Sequence, residues 1–342
     1  MKAGIKRQLK QEIRGVMWTL PALVFLVLFT IYPMFNAIIT SFYNWNLTGR
    51  KKYIGFYNYQ KLFGNAEVYD TIWRTVQYAL IILPVTLIFG FILALLLKQS
   101  SKLNVVFRTM LFTPRVSSMV AISVVWLYIY NPQYGLLNSV LGLVGIPPVR
   151  WINDPATALP SIAAIAIWRM LGYSTVVYLG GIQNISEDVL EAATIDGANA
   201  VQTVWHITIP LVSPTTFMLL ILNSIEVLKM FTTINVMTDG GPAKSTQNLV
   251  VMLYEYAFRR YQLGYASTIA VLLFAFSTVL GWSHYGAKAF EYLFGTKATI
   301  GYKVVFVGFI VVGATMSLDL AWDLSDTFNG LMAIPNLIGV IS

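Results

Sequence analysis

Few side chains in this chain could do chemistry. Cysteine is absent and histidine stands only at His206 and His284. That leaves no basis for disulfides, thiolate nucleophiles or a multi-histidine metal centre, and no cofactor is expected. The informative groups are charges inside long apolar runs, where an ionised side chain is costly and faces a cavity or a partner. Glu226 and Lys229 lie three residues apart, a spacing that puts them on one helix face and lets them pair. Asn223 precedes Glu226 by three on that face, and Ser224 lies beside it. Hydroxyls and amides of this kind suit a hydroxylated solute, which makes Asn223, Ser224, Glu226 and Lys229 a candidate path. The same residues read equally well as a self-neutralised pair packed on another helix. Arg169, Trp126, Tyr128 and Trp168 are weaker candidates, because aromatics near the ends of apolar runs more often form interfacial belts. Arg115 reads as a side chain snorkelling to headgroups.

A second constellation lies in a polar island at 183–213. Ser186 can cap a helix, with Glu187, Asp188 and Glu191 complementing its positive end. Leu190, Ala192 and Ala193 continue it, and Gly197 stops it. A second short segment, 198–207, spaces Val201, Val204 and Trp205 helically, and Pro210 and Pro214 set the next entry. This predicts two short helices around a glycine turn at a membrane surface. Small alanines there allow a partner groove to approach closely; packing on lipid alone is the other reading.

These groups are held by an apolar frame. Charged residues make up 11% of the 342-residue chain and hydrophobic residues 57%, against a usual charged content of roughly 25%. Mean hydropathy is +0.66. So much apolar surface cannot be hidden inside a soluble fold, which excludes a soluble enzyme and a disordered chain. The net charge of +8 is read as loop anchoring at lipid headgroups rather than nucleic-acid binding. A crossing helix needs about 20 apolar residues. Six runs meet this, near 17–42, 78–97, 109–130, 158–182, 215–237 and 263–282. A seventh is possible at 302–322, and 328–342 is apolar but short. The first run is too long for a signal-peptide core and reads as a retained span. The fold class is all-α, a polytopic membrane helix bundle of six spans with one or two extra C-terminal apolar segments.

The N-terminal segment, residues 1–15, carries Lys2, Lys6, Arg7, Lys10 and Arg14, which favours a cytoplasmic start. Carried through six spans, that start puts Lys98, Lys102 and Arg108 inside. It puts Arg50, Lys51, Lys52, Lys61, Arg150, Lys244, Arg259 and Arg260 outside. The whole-chain count is level, so only the N-terminal cluster votes. Asp239-Gly240-Gly241-Pro242 is then an outer turn.

Glu191-Ala192-Ala193, three residues, Gly197, nine residues, Ile207, one residue, Ile209-Pro210 follows the EAA-loop pattern of ABC importer permeases; Ile209 replaces the usual leucine. Tyr130-Asn131-Pro132-Gln133-Tyr134-Gly135, Ile167-Trp168-Arg169, the 239–242 turn and Gly264-Tyr265-Ala266-Ser267 stand in the same order as in the sugar-type permease subunits of binding-protein-dependent importers. The chain resembles that family over about residues 10–273. The resemblance implies a permease domain at 16–273 in the inner membrane, with its EAA loop docked on a separate ATPase subunit. Glu191, Ala192, Ala193, Asp196, Gly197, Ile207 and Pro210 would be the coupling residues. It also implies a second permease subunit, a periplasmic or lipid-anchored solute-binding protein, and a sugar or polyol as cargo. The chain has no G-x-x-x-x-G-K-[ST] loop, so ATP hydrolysis would belong to the partner.

Beyond about residue 273 the likeness changes. Trp282-Ser283-His284-Tyr285-Gly286 and Trp322-Asp323-Leu324-Ser325-Asp326-Thr327-Phe328-Asn329 resemble the C-terminal part of sodium:alanine/glycine symporters. Residues 274–342 therefore read as a fused symporter-like segment. Most of that family's length is missing, so sodium symport is not expected, and Asp319, Asp323 and Asp326 read as loop or span-end residues.

Overall fold

A computed structural model describes residues 19–47, 49–99, 101–295, 301–302 and 305. The chain divides into two compact units, Met1–Ser277 and Thr278–Ser342.

In the first unit, α1 (Thr19–Ser41) is apolar and buries none of its span window. Phe25 and Phe29 stand exposed on it, as suits a surface turned to lipid or another chain. A small ribbon, β1 (Tyr43–Asn44) with β2 (Lys52–Tyr53), and α2 (Tyr57–Phe63) lead to α3 (Ala66–Leu96). Asn65 caps α3 by accepting the Glu67 amide at 3.0 Å, and Glu67 complements the positive helix end. α3 has 31 residues, which at 1.5 Å each exceeds a hydrocarbon core of about 30 Å.

α4 (Lys102–Val116), α5 (Met119–Ile129) and α6 (Leu136–Leu143) follow, then α7 (Pro155–Gln183), capped by Asp154 with proline in its first turn. α8 (Glu187–Ile195) and α9 (Ala200–Thr203) flank a glycine turn. α9 runs through a π turn at Val204–Thr208 into α10 (Ile209–Leu228). α11 (Thr232–Met237) and α12 (Leu249–Tyr254) precede α13 (Leu263–Phe294).

The core forms where α3 meets α7. Tyr78 and Ile82 pack with Ile162, Ala163, Ala166 and Met170, and Val227, Ile234 and Val251 close over them. Buried hydroxyls are satisfied locally: Thr71, Thr75 and Thr86 each donate to the carbonyl four residues earlier. Tyr130 reaches across from α5 to donate to the Ser161 carbonyl at 2.8 Å. α4 crosses α7 so closely that a Cβ on Gly172 would overlap the Leu111 carbonyl oxygen. Small residues at such crossings let membrane helices approach.

The apolar runs become helices, with two departures. Among the described residues, four helices are long and apolar enough to cross a membrane, or five if a bent pair counts as one. The bent pair is the run expected as a single third span: α4 and α5 meet at 102°. Pro114 removes a backbone donor from the last turn of α4, and Ser117 and Ser118 are extended. The fifth run also breaks. α10 stops at Leu228, Lys229 takes its C-cap, and α11 resumes at Thr232.

The boundary between the two units falls within the residue range of α13, which is apolar over Leu263–Val279 and helical to Phe294. In the second unit, Phe290 and Tyr302 bring their rings to 5.3 Å. The basic cluster at 2–14, the apolar segment 328–342, and Asp319, Asp323 and Asp326 lie outside the described residues, as does nearly all of 302–322.

Candidate functional site: a surface turn and a charged cavity on one helix

The turn between α8 and α9 is set by local chemistry. Gly197 has φ +80° with no heavy atom close to where a Cβ would sit, so backbone handedness rather than crowding demands glycine. Asn199 then starts α9 with a reciprocal capping box: its amide donates to Gln202 Oε1 at 2.8 Å, and Gln202's amide donates to Asn199 Oδ1 at 2.9 Å. Ser186 occupies the N-cap position of α8, but its hydroxyl donates to Asp188 Oδ2 at 3.3 Å instead of capping the backbone.

The second short helix expected on the surface is not a separate element. α9 continues through the π turn into α10, with Pro210 in the first turn of α10 and Pro214 inside it. Because the helix is continuous here, each proline withholds an amide from the ladder and loosens this stretch.

The expected coupling residues divide by exposure. Glu191, Ala192, Asp196, Gly197 and Pro210 are exposed, Ile207 is half-buried, and Ala193 is buried. Ala193 therefore faces its own chain, and of the alanine pair only Ala192 faces outward. Ile195, at 85% exposure, together with Val201 and Trp205 adds uncovered apolar surface. Glu187, Leu190, Glu191, Thr194 and Ile195 line a shallow concavity along α8.

The expected solute path is rearranged more strongly. Glu226 does not pair with Lys229. Its carboxylate takes Arg169 Nη1 of α7 at 2.6 Å and Arg115 Nη1 of α4 on both oxygens, the Oε2 contact at 2.6 Å. Arg115 consequently does not snorkel; its guanidinium also lies 4.9 Å from the Tyr173 ring centre. Two guanidiniums from neighbouring helices thus supply the counter-charge that one lysine on the same helix was expected to supply. Lys229 instead occupies the C-cap position of α10, where its backbone amide donates to the last carbonyls.

Asn223 and Ser224 also leave the proposed stripe. Asn223 is buried and donates to Ser174 Oγ at 3.1 Å, while Ser224 donates to the Leu220 carbonyl at 2.6 Å. Glu226 and Lys229 do share a cavity of about 350 Å³, with Arg169, Met119, Phe231 and Thr232 on its wall. Trp126 and Trp168 stack edge-to-face at 5.8 Å. Arg115 is the ion-pair partner that reading along the chain missed; its signal is an arginine and a lone acid in different apolar runs, each needing a counter-charge.

The two sites occupy different levels of the bundle. The C-terminal half of α3 packs with the end of α7 and the start of α10, through Ala94, Leu179 and Val212. This is where α8 attaches. The opposite end of α3 meets the 239–262 segment: Lys244 pairs with Glu67, and Leu62 and Val68 pack on Leu249 and Met252. There Asp239 receives both terminal nitrogens of Arg259 at 2.6 Å, which raises the arginine above its ordinary pKa. The EAA-type turn and the 239–242 turn thus lie at opposite ends.

Comparisons with known proteins fit this geometry. A probable ABC transporter permease protein of Bacillus subtilis, YurN, is 34% identical over 79% of this chain and 94% of its own. The sulfoquinovosyl glycerol transport system permease protein SmoG of Agrobacterium fabrum is 31% identical over 79% of this chain and 88% of its own. A crystal structure of a bacterial alginate ABC transporter, in complex with a periplasmic protein binding an alginate pentasaccharide, contains a chain of the same fold. The TM-score is 0.73 at 20% identity, covering 85% of this chain and 98% of that one. Residues 189–342 match the sodium:alanine symporter family. That match begins well before residue 273, where the change of likeness was expected, and includes the α8 turn.

Proposed function

Because the chain belongs to the sugar-type permease subunits of ABC importers, we propose that it forms half of a sugar-conducting pore driven by a separate ATPase subunit. A second permease completes the pore, and a solute-binding protein delivers a sugar or polyol at the end that carries the 239–242 turn. The α8 end faces the cytosol, as does the N-terminus, in the inner membrane. Glu191, Ala192, Asp196 and Gly197 meet the ATPase; Ala193, Ile207 and Pro210 shape that surface from beneath or beside it. Residues 274–342 are a symporter-like extension without sodium coupling. The chain alone is therefore expected to give no sodium-dependent alanine uptake.

One observation carries this reading. The exposed turn is joined without a break to α10, which ends at the Glu226 cavity. From Ala200 to Leu228 the helix is about 43 Å long at 1.5 Å per residue. Movement of the turn is transmitted along it to residues that touch solute.

The test is an Ala192→Cys variant in the assembled complex, treated with a short bifunctional thiol reagent against single cysteines in the ATPase cleft. A nucleotide-dependent cross-link is expected. An assembled complex in which Ala192→Cys never reaches the ATPase overturns the reading.

A further inference from the structure

The cavity at the end of α10 has more positive charge and more hydrogen-bond donors than its one acid can satisfy. Among the described residues Glu226 is the only acid on its wall, against Arg169 and Lys229, and Arg115 bonds to the same carboxylate. Three cations face one anion. The partial charge of about −0.5 at the α10 C-terminus does not remove the excess. Lys229 is exposed and joins no ion pair among the described residues. A guanidinium has five donors and no acceptor, and each arginine gives Glu226 only one nitrogen, so the charge left over suits an anion with several oxygens.

The surroundings favour a solute over a fixed side chain. The cavity holds about 350 Å³, within the usual size range of small-ligand sites, and a carboxylate from a neighbouring subunit would not need that space. Phe231 supplies an aromatic wall and Thr232 a hydroxyl-bearing side chain. An excess of charge among apolar helices is tolerated where water or a counter-ion enters.

We propose that this cavity selects an anionic saccharide, with Lys229 and Arg169 receiving its carboxylate and Phe231 facing its ring. The proposal rests on the importer reading and specifies its cargo class. Glu226 holds the arginine of α7 in place and limits affinity, so that the cargo can leave.

The experiment uses the assembled complex in nanodiscs without binding protein, and compares galacturonate with galactose by equilibrium dialysis. Galacturonate is expected to bind at least about tenfold more tightly, a difference of about 1.4 kcal/mol. Lys229→Gln should abolish most of that preference, and Lys229→Arg should keep it. Equal or better binding of galactose, binding of neither sugar, or a preference untouched by Lys229→Gln would each overturn the proposal. Each of these leaves the importer reading intact as long as Ala192→Cys still reaches the ATPase.

Discussion

The two ends of the α9–α10 helix carry opposite electrostatic problems. Near the start, Glu187, Asp188, Glu191 and Asp196 are acids with no ion-pair partner among the described residues. At the far end a single carboxylate serves two arginines, with a lysine beside it. The acidic end is open to water, where unpaired carboxylates cost little. The cationic end lies among apolar helices, where charge must be balanced within reach. One helix thus links an acidic, exposed surface to a cavity with an excess of cations.

The sharpest way to break this contrast is Glu226→Gln. It would leave Arg115 and Arg169 facing each other without their shared anion. Removing one member of a buried ion pair costs about 3–5 kcal/mol. These side chains keep about a quarter of their exposure, so a loss of about 2 kcal/mol is expected after screening. Thermal unfolding of the purified complex would show it, and an unchanged melting temperature would mean the arginines have other acceptors.

A smaller effect is expected at the acidic end from Gly197→Ala. The left-handed conformation costs a residue with Cβ about 1–2 kcal/mol, and nothing else obstructs the methyl group. The complex should melt nearly as before, because the turn can fray locally, while transport per ATP hydrolysed falls. Unaltered coupling in proteoliposomes would show that the turn's handedness is not needed.

The smallest effect belongs to the opposite surface. Arg259→Ala removes an exposed, bidentate pair with Asp239. Such pairs are worth about 0.2–1 kcal/mol and weaken in salt. A difference from the parent protein that persists at high salt would show that this turn does more than hold itself closed.

How legible this was depends on the range of each interaction. Helical runs announce themselves by length and lack of charge, so α1, α3, α7 and α13 follow from reading along the chain. The α8 turn was legible because glycine conformation and capping are local. Glu226 is the instructive failure. Its neighbour at three residues offered a plausible partner, but the true partners come from α4 and α7, far away in sequence. The burial of Asn223 and Ala193 was hidden for the same reason. Which side of a helix is buried depends on Ser174 and the other residues packed across from it, and spacing along one strand of sequence cannot report that. The α4–α5 bend had a local cause in Pro114 and two serines, but the apolar run masked it.

One further consequence follows from how α9 becomes α10. Pro210 and Pro214 withhold the amides that would have tied back to His206 and Pro210, immediately after a turn wound more loosely than its neighbours. This knuckle is the softest stretch of an otherwise stiff strut. In the proposed mechanism a shove at the glycine corner would be spent first in swivelling there, so the cavity would receive a tilt of its wall rather than a piston stroke.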